Sequence, residues 1–182
     1  LLAVLVGPIT LIAHSLFSTS FSRNNLIANN LAQEGIELIR AVRDNNILCA
    51  TLGGTMAWDD NPNGPPPELL GHYEVDSVQS VGITCGTATI STPRPMRRNT
   101  QAECNTPILI DIDGVYNYLA GTPSGFTRCV QVCSPPNAEP CSAEADTDIP
   151  HNDQLEVMSI VSWIERGAPK SVTLRDRLYK WQ

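Results

Sequence analysis

The residues of this chain best equipped for chemistry are its six cysteines, Cys49, Cys85, Cys104, Cys129, Cys133 and Cys141. A thiol can hold a metal, attack a substrate or oxidise to a disulfide, and spacing helps to separate these uses. Structural metal sites favour C-x2-C pairs, and the sequence contains none. The closest pair is Cys129-Val-Gln-Val-Cys133. On a strand these two sulfurs share a face but stand about 13 Å apart, too far to bond each other. Each is therefore expected to form a disulfide elsewhere, which places this part of the chain outside the reducing cytosol. Proximity along the chain favours Cys133–Cys141 and Cys85–Cys104, leaving Cys49–Cys129.

The other reactive side chains do not assemble into a catalytic pattern. His14, His72 and His151 are scattered, and no G-x-S-x-G, H-E-x-x-H or phosphate-cradling glycine loop occurs. His14, on an apolar helix, reads as a packed residue. Asp59-x-Asn61-x-Asn63-Gly64 matches the opening of a calcium loop, but Leu70 stands where such a loop places its bidentate glutamate. A bound Ca²⁺ is the alternative reading there. Asp111-x-Asp113-Gly114 reads as a hairpin turn, and Asp146, Asp148 and Asp153 as a solvated acidic loop. Trp58, in a proline-rich stretch, either presents an adhesive ring or packs onto the fold. The sole basic cluster, Arg94, Arg97 and Arg98, reads as a solvated loop, and a net charge of −7 argues against nucleic-acid binding. No enzyme activity, cofactor or metal is expected.

Two kinds of element must position these residues. Residues 1–17, LLAVLVGPITLIAHSLF, carry no charged side chain. The run is slightly short for a membrane span, and Gly7-Pro8 interrupts it, because proline removes a backbone donor and crowds the carbonyl four residues back. No basic leader or small-residue cleavage site accompanies it, so it does not read as a signal peptide. No glycine or proline breaks the polar stretch that follows. Ile27, Leu31, Leu38 and Val42 then recur at helical spacing, with Leu26, Ile36 and Ile39 widening the stripe. Glu37 with Arg40 and Arg40 with Asp44 are spaced for ion pairs, and Asn45-Asn46 marks the expected end. A single helix over 1–44 is about 66 Å long, more than a domain of this size can cover. Its first half must be buried by a bilayer or by copies of itself. Gly35, costing about 1 kcal/mol in mid-helix, predicts close approach of another element.

Beyond a turn-rich region over 47–72, the pattern changes to strands. Residues 73–78 and 107–112 are short strand candidates, with Asp113-Gly114 turning between ILIDI and VYNYL. Residues 126–133 alternate, and 134–142 form an irregular loop. Leu155, Val157, Val161 and Trp163 share one face of a strand, Arg166–Lys170 turn, and 171–176 return. The expected fold class is α+β: a long N-terminal helix whose C-terminal half packs on an antiparallel sheet.

An apolar helix running unbroken into NLAQEGIELIRAVRDNN resembles the bacterial type IV pilin and pseudopilin superfamily. The matching positions are Asn30, Leu31, Ala32, Glu34, Gly35, Ile36, Glu37, Leu38, Ile39, Arg40, Arg43 and Asp44. GFTRCVQV (125–132) and VSWIERGAPKSVTLRDRLYKW (161–181) are similar to the closing strands of that family, whereas 47–106 carry no likeness. The resemblance implies a pilin fold, with residues 1–23 as a membrane anchor before assembly and a filament core afterwards, and 24–182 as a globular head. Core positions would be Leu1, Leu2, Val4, Leu5, Val6, Gly7, Pro8, Ile9, Leu11, Ile12, Leu16 and Phe17, with Gly7-Pro8 at the place where such helices partly unwind. It also implies partners: copies of itself, the inner membrane, a prepilin peptidase and the pilus assembly machinery. The product would be an extracellular filament on the cell surface, with methylation as in that family, serving adhesion, motility, DNA uptake or secretion. The alternatives are a minor pilin or pseudopilin of a secretion or competence fibre, and a membrane-anchored extracellular binding module. The family usually begins with an aromatic residue followed by Thr-Leu-Ile-Glu. Here the first acidic residue is Glu34, and the expectation is that a few residues precede Leu1.

Overall fold

The computed structural model describes residues 2–64, 68–134 and 153–180, with side chains from Thr19 onward. A single α-helix, α1 (Leu2–Thr51, 50 residues), continues through Gly7-Pro8 and is about 75 Å long. It outruns the expected end at Asn45-Asn46. The stop signal is instead Gly53-Gly54: Gly53 takes a positive φ of 84°, its N–H donates to Ala50 O, and Gly54 N–H donates to Cys49 O at 2.9 Å. This pair of bonds satisfies the last carbonyls and is the Schellman closure.

The sheet is antiparallel throughout, and its centre is β7 (Thr122–Cys133). One edge of β7 pairs along its length with β8 (Gln154–Glu165), which pairs with β9 (Ala168–Tyr179). The other edge is shared. β1 (Gly71–Glu74) takes its C-terminal half and carries β4 (Met96–Arg98), while β5 (Pro107–Ile110) takes its N-terminal half and carries β6 (Tyr116–Asn117). β2 (Ser80–Cys85) and β3 (Ala88–Pro93) form a separate hairpin. The β8–β9 turn is tighter than expected, since Glu165 pairs with Ala168 and only Arg166 (φ 51°) and Gly167 (φ 77°) lie between. Two consecutive positive φ values give the turn that matches sheet twist. The β5–β6 turn is built as expected, with Asp111 Oδ1 accepting from Asp113 N and Val115 N. The 73–78 candidate starts and ends earlier, because at Asp76 the side chain accepts from Val78 N and Gln79 N and turns the chain.

The core lies between α1 and one face of β7–β9. Ile36, Ile39 and Val42 meet Val130, Val132, Leu155, Val157 and Leu178 in one cluster. Ala28, Leu31 and Ala32 meet Ile108, Phe126, Val161 and Trp163 in a second. All four β8 residues predicted to share a face are buried here. Leu26 was expected in the stripe but is 63% exposed. Two residues before Ala28, it points to the opposite side of α1, away from the sheet, whereas its neighbour Ile27 packs on the second cluster.

Candidate functional site

The most distinctive feature is the place where α1 leaves the folded head. Burial follows helical spacing through Ala28, Leu31, Ala32, Gly35, Ile39, Val42, Asn46 and Cys49, and each turn of that stretch is clasped by the sheet. Gly35 marks the closest crossing. A Cβ there would lie 2.6 Å from Ser159 Oγ and 2.9 Å from Val130 Cγ2, so only glycine admits this approach. Beside it, the buried Arg128 guanidinium donates to Leu31 O and Glu34 Oε2 of the helix, both at 2.9 Å, and to Val75 O. One planar fork thus ties helix, β7 and the chain after β1 together. Arg40 bonds Glu37 at 2.5 Å, as its spacing predicted, and reaches Asp176 on β9. Burial alone would lower its pKa, but these two carboxylates outweigh burial and raise it. Asp44 takes Arg43 at 2.7 Å in place of the expected Arg40.

Below Ala28 the clasp ends. Thr19, Ser20, Phe21, Ser22 and Arg23 are all exposed, yet the helix continues to Leu2. At 1.5 Å per residue, the segment before Ala28 extends about 39 Å from the head. The side chains assigned to a filament core, Leu1, Leu2, Val4, Leu5, Val6, Gly7, Pro8, Ile9, Leu11, Ile12, Leu16 and Phe17, lie outside the described side chains, as does His14. Among the described residues no helix is long and apolar enough to cross a membrane.

Disulfides pin the other end of the helix and the far face of the sheet. Two of the expected pairings are overturned. Cys49 bonds Cys85, and Cys104 bonds Cys129. The cause is register: Pro107 pairs with Thr127, which carries Cys104 back alongside Cys129. Cys49, at 0% exposure on the buried stripe, faces the β2–β3 hairpin, where Cys85 ends β2. Cys133 is also disulfide-bonded. Its expected partner, Cys141, lies outside the described residues, with His151, Asp146 and Asp148.

Among the described residues, the other candidates read from the sequence are spent on the fold. Asn61 Oδ1 accepts from Asn63 N, and Asn63 bonds Pro95 O and Arg94 Nε, so these two side chains of the calcium-like stretch are spent on the loop. Among the described residues no three His, Cys, Asp or Glu converge as metal ligands. Trp58 is buried at 8% exposure, which overturns its reading as an adhesive ring. The basic cluster disperses, with Arg98 bonding the fully buried Glu74 at 2.9 Å. His72 is pushed below its ordinary pKa, first by burial and then by Arg97. Burial pushes the phenols of Tyr73 and Tyr118 up to about 12. Sequence reasoning assigned no role to Arg128 or Ser159, and read Asn46 only as a helix stop. An arginine inside the alternating FTRCVQV strand was the available signal, since a buried cation requires dedicated partners. Comparison with protein-family models, with curated proteins and with solved structures finds no match to this chain.

Proposed function

We propose that this chain is a structural subunit of an extracellular type IV pilus-like filament that polymerises through its N-terminal helix. The observation that carries the reading is the mismatch between helix and head. The sheet clasps α1 from Ala28 to Cys49, whereas the helix extends about 39 Å further as a continuous rod. An uncharged apolar rod of residues 1–17 needs cover from water. A bilayer supplies it before assembly, and the same rods of neighbouring subunits supply it afterwards. The pilin fold, with residues 1–23 as anchor and core and 24–182 as head, accounts for that division. Disulfides at Cys49–Cys85 and Cys104–Cys129 suit a head that works in an oxidising space.

The test is a charge placed in the rod. Ile9→Lys should abolish filaments on the cell surface while leaving the head with its disulfides and its unfolding transition. Filaments in normal yield from Ile9→Lys would overturn the proposal.

A further inference from the structure

At the end of the head opposite the exit of α1, two adjoining cavities of about 450 and 410 Å³ meet at Ala57, Trp58 and Lys180. They differ in chemistry. The first is floored by Ile47, Ala50 and Met56, and is almost wholly apolar. The second is walled by Asp59, Glu68 and Asp153, with Leu70 and Leu155 behind them. Against these three carboxylates stands one ammonium, Lys180, whose Nζ lies 3.5 Å from Asp153 Oδ1. Among the described residues neither Asp59 nor Glu68 has a cationic partner in an ion pair. The Asp59 carboxyl is held above its ordinary pKa, first by burial and then by the charges of Asp60 and Glu68, with Lys180 acting in the opposite direction.

The wall that carries Trp58 and Asp59 is fixed before any ligand arrives. Asn46, wholly buried in α1, donates from Nδ2 to Asp60 O at 2.7 Å and to Trp58 O at 3.4 Å. Ala57 N donates to Asp60 Oδ2 at 2.7 Å, and Leu69 N to Asp59 O at 2.5 Å. The turn that presents Trp58 and Asp59 is therefore locked to the last turns of the helix.

Charge complementarity selects the occupant. An anion meets the wrong sign. A bare metal ion is disfavoured because the carboxylates do not converge as ligands. A neutral apolar molecule satisfies only the first cavity and leaves the carboxylates without a counter-charge. We propose that this cleft binds a small organic cation with an apolar body, an aromatic or branched aliphatic amine. Its ammonium group sits beside Asp59 and Glu68, its body fills the space against Ile47 and Met56, and Trp58 borders both parts. The proposal is independent of filament formation.

Lys180 supplies a test whose sign a general loss of structure does not reproduce. The full-length oxidised chain in detergent is titrated with phenethylammonium by isothermal calorimetry, with 2-phenylethanol as the neutral isostere. Saturable binding of the amine is expected, about tenfold tighter than the alcohol, the ratio of one partly desolvated charge contact. Asp59→Asn with Glu68→Gln should reduce amine affinity to that of the alcohol. Lys180→Met, which removes the competing ammonium, should tighten the amine severalfold and leave the alcohol unchanged. Equal binding of amine and alcohol, no saturable heat from the amine, or weaker amine binding by Lys180→Met would each overturn the proposal.

Discussion

Replacing Gly35 by alanine tests the contact that sets the distance between helix and sheet. On an open helix the change should stabilise the chain by about 1 kcal/mol, because glycine is the poorer helix former. At this crossing the new methyl would sit 2.6 Å from Ser159 Oγ, 2.9 Å from Val130 Cγ2 and 3.1 Å from Arg128 Cδ. Ser159 can turn its hydroxyl aside. Val130, fully buried and β-branched, cannot, and Arg128 is held by three acceptors on two segments. Overpacking of this kind costs about 1–3 kcal/mol, and the rigid neighbours place Gly35→Ala near the upper end. The expected net loss is about 2 kcal/mol, a fall in Tm of roughly 4–8 °C for a chain of this size. The assay is thermal unfolding of the oxidised chain, followed by near-ultraviolet circular dichroism. Adding Ser159→Ala removes only the contact that can already yield and should restore little of the loss. A rise in Tm for Gly35→Ala would refute the reasoning, since it would mean that helix propensity alone governs the position.

Arg128→Met leaves Leu31 O, Val75 O and Glu34 without their shared donor and should cost about 3 kcal/mol in a denaturant titration. Arg128→Lys should recover little of this, because one ammonium cannot span the three acceptors. Peptide mapping of unreduced protein should recover Cys49 linked to Cys85 and Cys104 linked to Cys129. Replacing Cys49 and Cys85 together by alanine should cost about 4 kcal/mol, the chain-entropy value for a separation of 36 residues. Tyr73 and Tyr118 stay neutral in the folded chain to about pH 12. An unfolded chain releases those protons near pH 10, so stability is unaffected below pH 10 and falls as pH rises from about 10 to 12. Absorbance at alkaline pH should show two of the four tyrosines ionising only near pH 12.

The elements with a strong period were legible in the sequence. The stripe through Leu31, Ile39 and Val42 and the alternation through Leu155, Val157, Val161 and Trp163 both face the core. Gly35 was readable as a point of close approach because a mid-helix glycine needs a packing reason. The helix end was misplaced because Asn45-Asn46 resembles a stop, whereas Asn46 is buried and holds the Trp58 turn. The closing signal, Gly53-Gly54, was present but stood inside a stretch rich in turn formers. The β2–β3 hairpin was missed for a related reason. Its strands SVGITC and ATISTP are short, contain few large apolar residues and bury mainly Ile83, Cys85 and Thr92, so local periodicity is weak. Disulfide pairing depends on which strands become neighbours, which distance along the chain does not reveal. The cleft at Trp58 was illegible for the same reason, since it joins a helix end, the 57–60 turn and strand ends far apart in sequence.

The most direct test of the account is electron cryomicroscopy of material sheared from cells expressing the full-length chain. The account predicts helical filaments whose axis is packed with the α1 segments of residues 1–17 from neighbouring subunits, with the heads outward. Single particles in which each α1 rod is covered only by detergent or lipid, with no filaments in the sheared fraction, would contradict it.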